Sequence, residues 1–171
     1  MVFPIYAYGT PVLRKKAKVI QKDHPELDKF VADMFETMYK SDGLGLAAPQ
    51  AGKSLKLFVL DTSPLHKQDP AIVNIKKAFI NPVITEKKGE PWYYNEGCLS
   101  LPGIREDIKR PPEIRIQYYD EHFDFFDEVF DGVLARVIQH EYDHLEGILF
   151  TDHVPPLKKK LLNNKLKTVS A

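Results

Sequence analysis

His140-Glu141-Tyr142-Asp143-His144 sets two imidazoles four residues apart, with a carboxylate directly after the first. On an α-helix, residues i and i+4 lie one turn apart on the same face, so a helical segment here delivers both rings to one point. One metal ion satisfies both. Glu141 is one step around the helix, close to that ion without being forced to bind it, where a general base for an activated water belongs. The competing reading is a polar helix face that happens to carry two histidines and a glutamate.

The preceding residues support the helix. Asp131 is the expected N-cap, Gly132 follows it, and Gly147 is the expected stop. Val133, Leu134, Val137, Ile138 and Leu145 form an apolar stripe. The histidines border this stripe, so they should be partly buried and need partners, and a metal is one.

A chain of 171 residues fits one domain with a core of its own. Lys plus Arg and Asp plus Glu each number 24, and this balance argues against a protein that works by binding nucleic-acid phosphates. No DNA partner is expected. The first residues, Met1 to Gly9, lack a basic start and a long apolar run, and no stretch approaches the ~20 apolar residues of a membrane span. The single cysteine, Cys98, excludes an internal disulfide framework, so a reducing cytoplasm fits.

Leu27, Phe30, Val31, Met34, Phe35 and Met38 predict an N-terminal helix, with Asp23 as cap, Pro25 in the first turn and Gly43 as stop. Strand patterns follow over 57–60, over 79–84 where Pro82 implies an edge or a bulge, and over 114–118. Residues 123–130 are the expected hairpin partner of that last strand, across Asp120-Glu121-His122. Helix, strands, then helix is an α+β order: mixed or antiparallel strands around a central metal-binding helix, with an N-terminal and a C-terminal helix. A single catalytic domain is expected over 1–156. After Pro155-Pro156, residues 157–171 read as a basic helix or tail, with five lysines and no acid over 157–167. Leu157, Leu161, Leu162 and Leu166 suit a narrow helical stripe there.

Two histidines leave a catalytic metal one protein ligand short. The metzincin pattern would put a third histidine at Phe150, and no glutamate follows Glu146 to serve a thermolysin-like site. Asp152, His153 and Cys98 remain. Cys98 is the best of these, because a thiolate with two imidazoles suits Zn²⁺ or Fe²⁺ and leaves a fourth position open for water.

Three blocks now carry a resemblance. Gly43-Leu44-Gly45-Leu46-Ala47-Ala48-Pro49-Gln50, Glu96-Gly97-Cys98-Leu99-Ser100 and Gln139-His140-Glu141-Tyr142-Asp143-His144-Leu145 are similar, in order and spacing, to those of the peptide deformylase family. Gly9 to Arg14 also resembles its N-terminal segment, and the short basic C-terminus resembles the bacterial type.

The resemblance implies that Cys98, His140 and His144 hold one divalent ion, often Fe²⁺ with Zn²⁺, Ni²⁺ or Co²⁺ as substitutes. It implies removal of the formyl group from the initiator methionine of nascent polypeptides, releasing formate. Glu141 would move the proton, while the Gln50 amide and the Leu99 N–H would receive the oxyanion. Gly45 would let the backbone come close to Gln50 and the substrate. A formyl-methionyl peptide would lie extended along Leu44 and Gly97, with its side chain near Val133 and Val137 and Arg105 at the cleft mouth. Arg136 would extend along the pocket rim, and Glu96 and Arg110 would form a structural ion pair. The basic C-terminal segment would dock on the ribosome. An internal-bond protease and a catalytically silent metal-binding or ribosome-associated module are the alternatives.

Overall fold

The computed structural model describes residues 1–170. Its elements are α1 (Leu27–Lys40), β1 (Gly45–Ala47), β2 (Leu57–Asp61), α2 (Ser63–Gln68), β3 (Lys76–Lys88), β4 (Trp92–Cys98), β5 (Leu101–Arg110), β6 (Glu113–Tyr119), β7 (Phe125–Asp131), α3 (Gly132–Leu145) and α4 (Pro156–Ser170). The α+β expectation holds. Five strands form an antiparallel sheet in the order β1-β2-β3-β6-β7, and β4 pairs with β5 as a separate hairpin.

β2 is buried along nearly its whole length because both its faces are covered. Phe58 and Leu60 pack in one cluster with Phe79, Ile116, Leu134 and Ile138, under α3. Leu57 and Val59 turn the other way, to Val31, Met34 and Met38 of α1. A third cluster joins Leu101, Ile104 and Ile108 of β5 to Leu149, Phe150 and Val154 and to Leu162 and Leu166 of α4. The helix α3 therefore runs between the sheet and the hairpin, which positions the site.

One of the two expected readings of Pro82 is borne out, and other local expectations are corrected. Pro82 lies in an interior strand, at the register shift between Ile80 and Val83, so it marks a bulge and not an edge. Asn81 turns that bulge at φ 50 and ties it to Ile20 through both polar side-chain atoms. The helix α1 begins after Glu26, which sits at φ 54, and neither Asp23 nor Pro25 caps it. At its far end Asp42 takes the left-handed position (φ 55), and Gly43 merely donates its N–H to Met38 O. Aspartate tolerates this conformation better than most residues, so the stop falls one residue early.

Asp131 does stand at the N-cap of α3, but without a side-chain bond. Gly147 ends that helix as expected: φ is 76 and the Ile148 N–H reaches Asp143 O at 2.9 Å. A Cβ there would also lie 2.6 Å from the Arg14 carbonyl oxygen.

Only half of the expected leucine stripe of α4 is inward. Leu162 and Leu166 are buried, whereas Leu157 and Leu161 are exposed. Burying a leucine is worth about 1.5–3 kcal/mol, against about 0–1 for an exposed ion pair such as Lys158–Glu106. Packing of these two leucines therefore holds α4, and most of the lysines are left facing outward.

Candidate metal centre

One turn of α3 separates His140 from His144, and β4 ends at Cys98 opposite them. The ligand atoms of these three residues all lie within 4.8 Å of one another. Cys98 Sγ is 3.4 Å from His144 Nε2. Donors at ~2.3 Å (sulfur) and ~2.0–2.1 Å (nitrogen) around a tetrahedral ion are about 3.5 Å apart, so the set fits a divalent metal. Burial opposes ionisation of the Cys98 thiol, but the two imidazoles, His144 first, outweigh it and bring the pKa to about 5. A thiolate is the form that binds metal.

The other third-ligand candidates are engaged elsewhere. Asp152 pairs with Arg14 at 2.6 Å, and His153 Nε2 meets Asp143 Oδ2 at 2.8 Å.

His140 is held by its second nitrogen. Nδ1 lies 2.9 Å from Glu96 Oε1, which orients the ring and leaves Nε2 for the metal. Burial alone would raise the pKa of Glu96; hydrogen bonds from His140 and then Arg110 hold it at about 2. The expected Glu96–Arg110 pair is present and two-pronged, at 2.8 and 3.0 Å. Arg136 borders the cleft, but its guanidinium turns inward instead of extending along the rim. Its side chain is buried and donates to Glu96 Oε2 (2.9 Å), Ile108 O (2.7 Å) and Trp92 O (2.6 Å).

Glu141 is buried, and its Oε1 has no hydrogen-bond partner. Burial pushes its pKa up, which makes it a stronger proton acceptor than an exposed carboxylate. Its other oxygen explains Gly45: a Cβ on residue 45 would stand 2.7 Å from Glu141 Oε2. The Glu141 carboxylate is thus the group a side chain at residue 45 would meet first, a neighbour added to the expected Gln50 and substrate. Gln50 is fixed by its own loop and by the end of β4 and the residues after it. Its Oε1 accepts from Ala47 N, and its Nε2 donates to Ser100 Oγ (3.1 Å) and reaches Cys98 Sγ (3.4 Å).

A cleft of about 500 Å³ opens over this centre. Leu44, Gly45, Gln50, Gly97, Leu99, Arg105, Val133 and Val137 all line it, together with Cys98, His140 and Glu141. Arg105 is tied down by Asn95 Oδ1 at 2.6 Å. Sequence reasoning missed Leu65 and Gln68 of α2, Tyr94 and Asn95 of β4, and Asp42. The Ser63-Pro64 start of α2 and the aromatic run 92–94 were the available signals.

Comparison with known proteins accords with this geometry. Residues 2–160 match the family model described as polypeptide deformylase. The peptide deformylase of Cytophaga hutchinsonii is 52% identical over 170 residues, covering 99% of this chain and 91% of that protein. That of Christiangramia forsetii is 48% identical over 177 residues, covering 99% and 90%. The crystal structure of peptide deformylase from Thermus thermophilus aligns with a TM-score of 0.88 at 40% identity, over 99% of this chain and 98% of that one. The Synechococcus elongatus enzyme, solved in complex with actinonin, aligns at 0.86 and 38%, over 97% and 86%.

Proposed function

The chain belongs to the polypeptide deformylase family, and on that premise we propose that it is a metal-dependent hydrolase that removes the N-formyl group from the initiator methionine of nascent polypeptides. The observation that carries the reading is the unpartnered, buried Glu141 Oε1 beside the Cys98, His140 and His144 donors. A merely structural metal site has no use for such a carboxylate.

A divalent ion held by Cys98, His140 and His144 would supply Lewis acidity and lower the pKa of a water. Fe²⁺ is the ion we propose for the cell, with Zn²⁺, Ni²⁺ or Co²⁺ able to replace it. Glu141 Oε1 takes a proton from the attacking water and returns it to the departing amine as the formyl C–N bond breaks. The Gln50 amide, held 3.4 Å from Cys98 Sγ, and the Leu99 N–H serve the developing oxyanion. The peptide lies extended along Leu44 and Gly97, Val133 and Val137 accept the methionine side chain, and Arg105 sits at the mouth.

Turnover of a formyl-Met tripeptide, with no cleavage of the same peptide unformylated or of internal bonds, is the expected result. Internal cleavage would replace this reading with a protease. Gln50→Leu should lower kcat by about 10²–10³-fold with KM little changed. An effect confined to KM would make Gln50 a binding residue.

No helix among the described residues is long and apolar enough to cross a membrane. We propose a cytoplasmic enzyme in which 1–156 carries the chemistry and the basic segment over 157–171 docks on the ribosome. Removing its five positive charges from a formally neutral chain leaves the rest at −5, so the charge is segregated. Truncation is a poor test because Leu162 and Leu166 are buried. Lys160→Gln with Lys165→Gln should weaken ribosome binding and flatten its salt dependence while peptide turnover stays at the wild-type rate. Unaltered ribosome binding would overturn the docking role.

A further inference from the structure

Residues 133, 136, 137 and 140 fall on one face of α3 and all border the cleft. Three of them have roles above. Arg136 does not, and its chemistry is out of place: a guanidinium is tolerated in a buried position only if its charge is answered. Here it is answered within a closed cluster. Arg136 and Arg110 face Glu96 and Asp143, two positive against two negative groups, all buried. Glu96 is the hub. Oε1 takes Arg110 Nη2 and meets His140 Nδ1; Oε2 takes Arg110 Nε and Arg136 Nη1.

The bonds of Arg136 also cross between elements. From α3 it reaches backbone carbonyls on both strands of the hairpin, Trp92 O on β4 and Ile108 O on β5. Its guanidinium lies 5.0 Å from the Trp92 ring centroid and 5.8 Å from that of Tyr94. The hairpin pairs with no other strand among the described residues. It carries Cys98, whereas α3 carries both histidines.

We propose that Arg136 is a positioning residue for the metal centre, fixing the Cys98 hairpin against α3 and holding Glu96 in the orientation that aims His140. Its hydrogen bonds go to Glu96, Ile108 O and Trp92 O and to none of the three metal donors. Arg110, the last residue of β5, also crosses, gripping Glu96 and donating to Asp143 of α3 at 2.8 Å, but among the described residues only Arg136 of the two runs from α3 to backbone carbonyls on both strands of the hairpin. The inference rests on the metal-centre reading above.

The test replaces the bound ion with Co²⁺, whose visible spectrum reports thiolate and imidazole geometry. Wild type should show a sulfur-to-cobalt band; its absence would sink the metal-centre reading itself and not only this inference. With the band present, Arg136→Leu should shift it. That variant should also lose Co²⁺ to a chelator about 10–100-fold faster, the range in which partners of ligating histidines act. Arg136→Lys, which keeps the charge but not the planar fork, should fall between the two. A purely structural role would lower the melting temperature and leave spectrum and chelator rate at wild-type values, and that outcome overturns the proposal. If Arg136→Leu does not fold, Arg136→Lys decides on the same two readouts.

Discussion

Cys98→Ala should leave a folded protein that neither retains a divalent ion through desalting nor turns over a formyl-Met peptide. The thiolate contributes the only formal negative charge among the three donors, and two neutral imidazoles one turn apart cannot complete a catalytic site. The substitution also removes the sulfur that Gln50 Nε2 reaches at 3.4 Å, so the oxyanion donor loses a restraint at the same time. Cys98 is only partly packed into its apolar cluster, so the cost to folding should be small. Metal content by atomic absorption and turnover on one preparation decide the matter. A variant keeping both would return Cys98 to the status of a core thiol.

The second large effect belongs to Glu141. Glu141→Gln preserves size and removes the proton acceptor. It should keep a full complement of metal while kcat falls by about 10²–10⁴-fold. The structure adds an expectation about stability. Glu141 Oε1 is buried without a partner and its pKa is raised, so the native state carries a desolvation cost that the amide reduces. The thermal midpoint of the metallated variant should therefore equal or exceed that of wild type, a gain of stability at the expense of activity. Near-normal turnover in the fully loaded variant would remove Glu141 from the mechanism.

The parts of the site that were legible in the sequence are those in which local spacing determines geometry. Helical periodicity places His140 and His144 together whatever the rest of the chain does, and the apolar stripe of α3 was readable for the same reason. Donor chemistry singled out Cys98 among the remaining third ligands, and the resemblance supplied what neither spacing nor chemistry could, the approach of Gln50 from a block far away in sequence. Arg136 shows the limit. One turn before His140, it reads as an arginine at a pocket rim, because nothing local announces that Trp92 O, Ile108 O and Glu96 will converge on it.

The α2 helix and the β4–β5 hairpin were missed for a related reason. The hairpin's Trp92-Tyr93-Tyr94 run has strand character, but the glycines at 97 and 103 and Pro102 read as loop punctuation. Gly43 looks like the end of α1 because glycine is the usual left-handed residue, yet the short side chain of Asp42 accepts that conformation one residue earlier.

The hairpin's isolation from the main sheet has a thermodynamic consequence. Its apolar side packs into a cluster with α4 and the 149–154 segment, separate from the two clusters that enclose β2 and β3. Two separately opening units are therefore expected, tied together by the polar cluster around Glu96 and by the bonds from Gln50 to Ser100 and Cys98, with a further tie where an ion is held by Cys98, His140 and His144. Such units open with their own free energies. Metal occupancy should accordingly be written in amide exchange: stripping the ion speeds deuterium uptake across β4, β5 and α4 together, while β2 and β3 keep their protons until the whole chain unfolds.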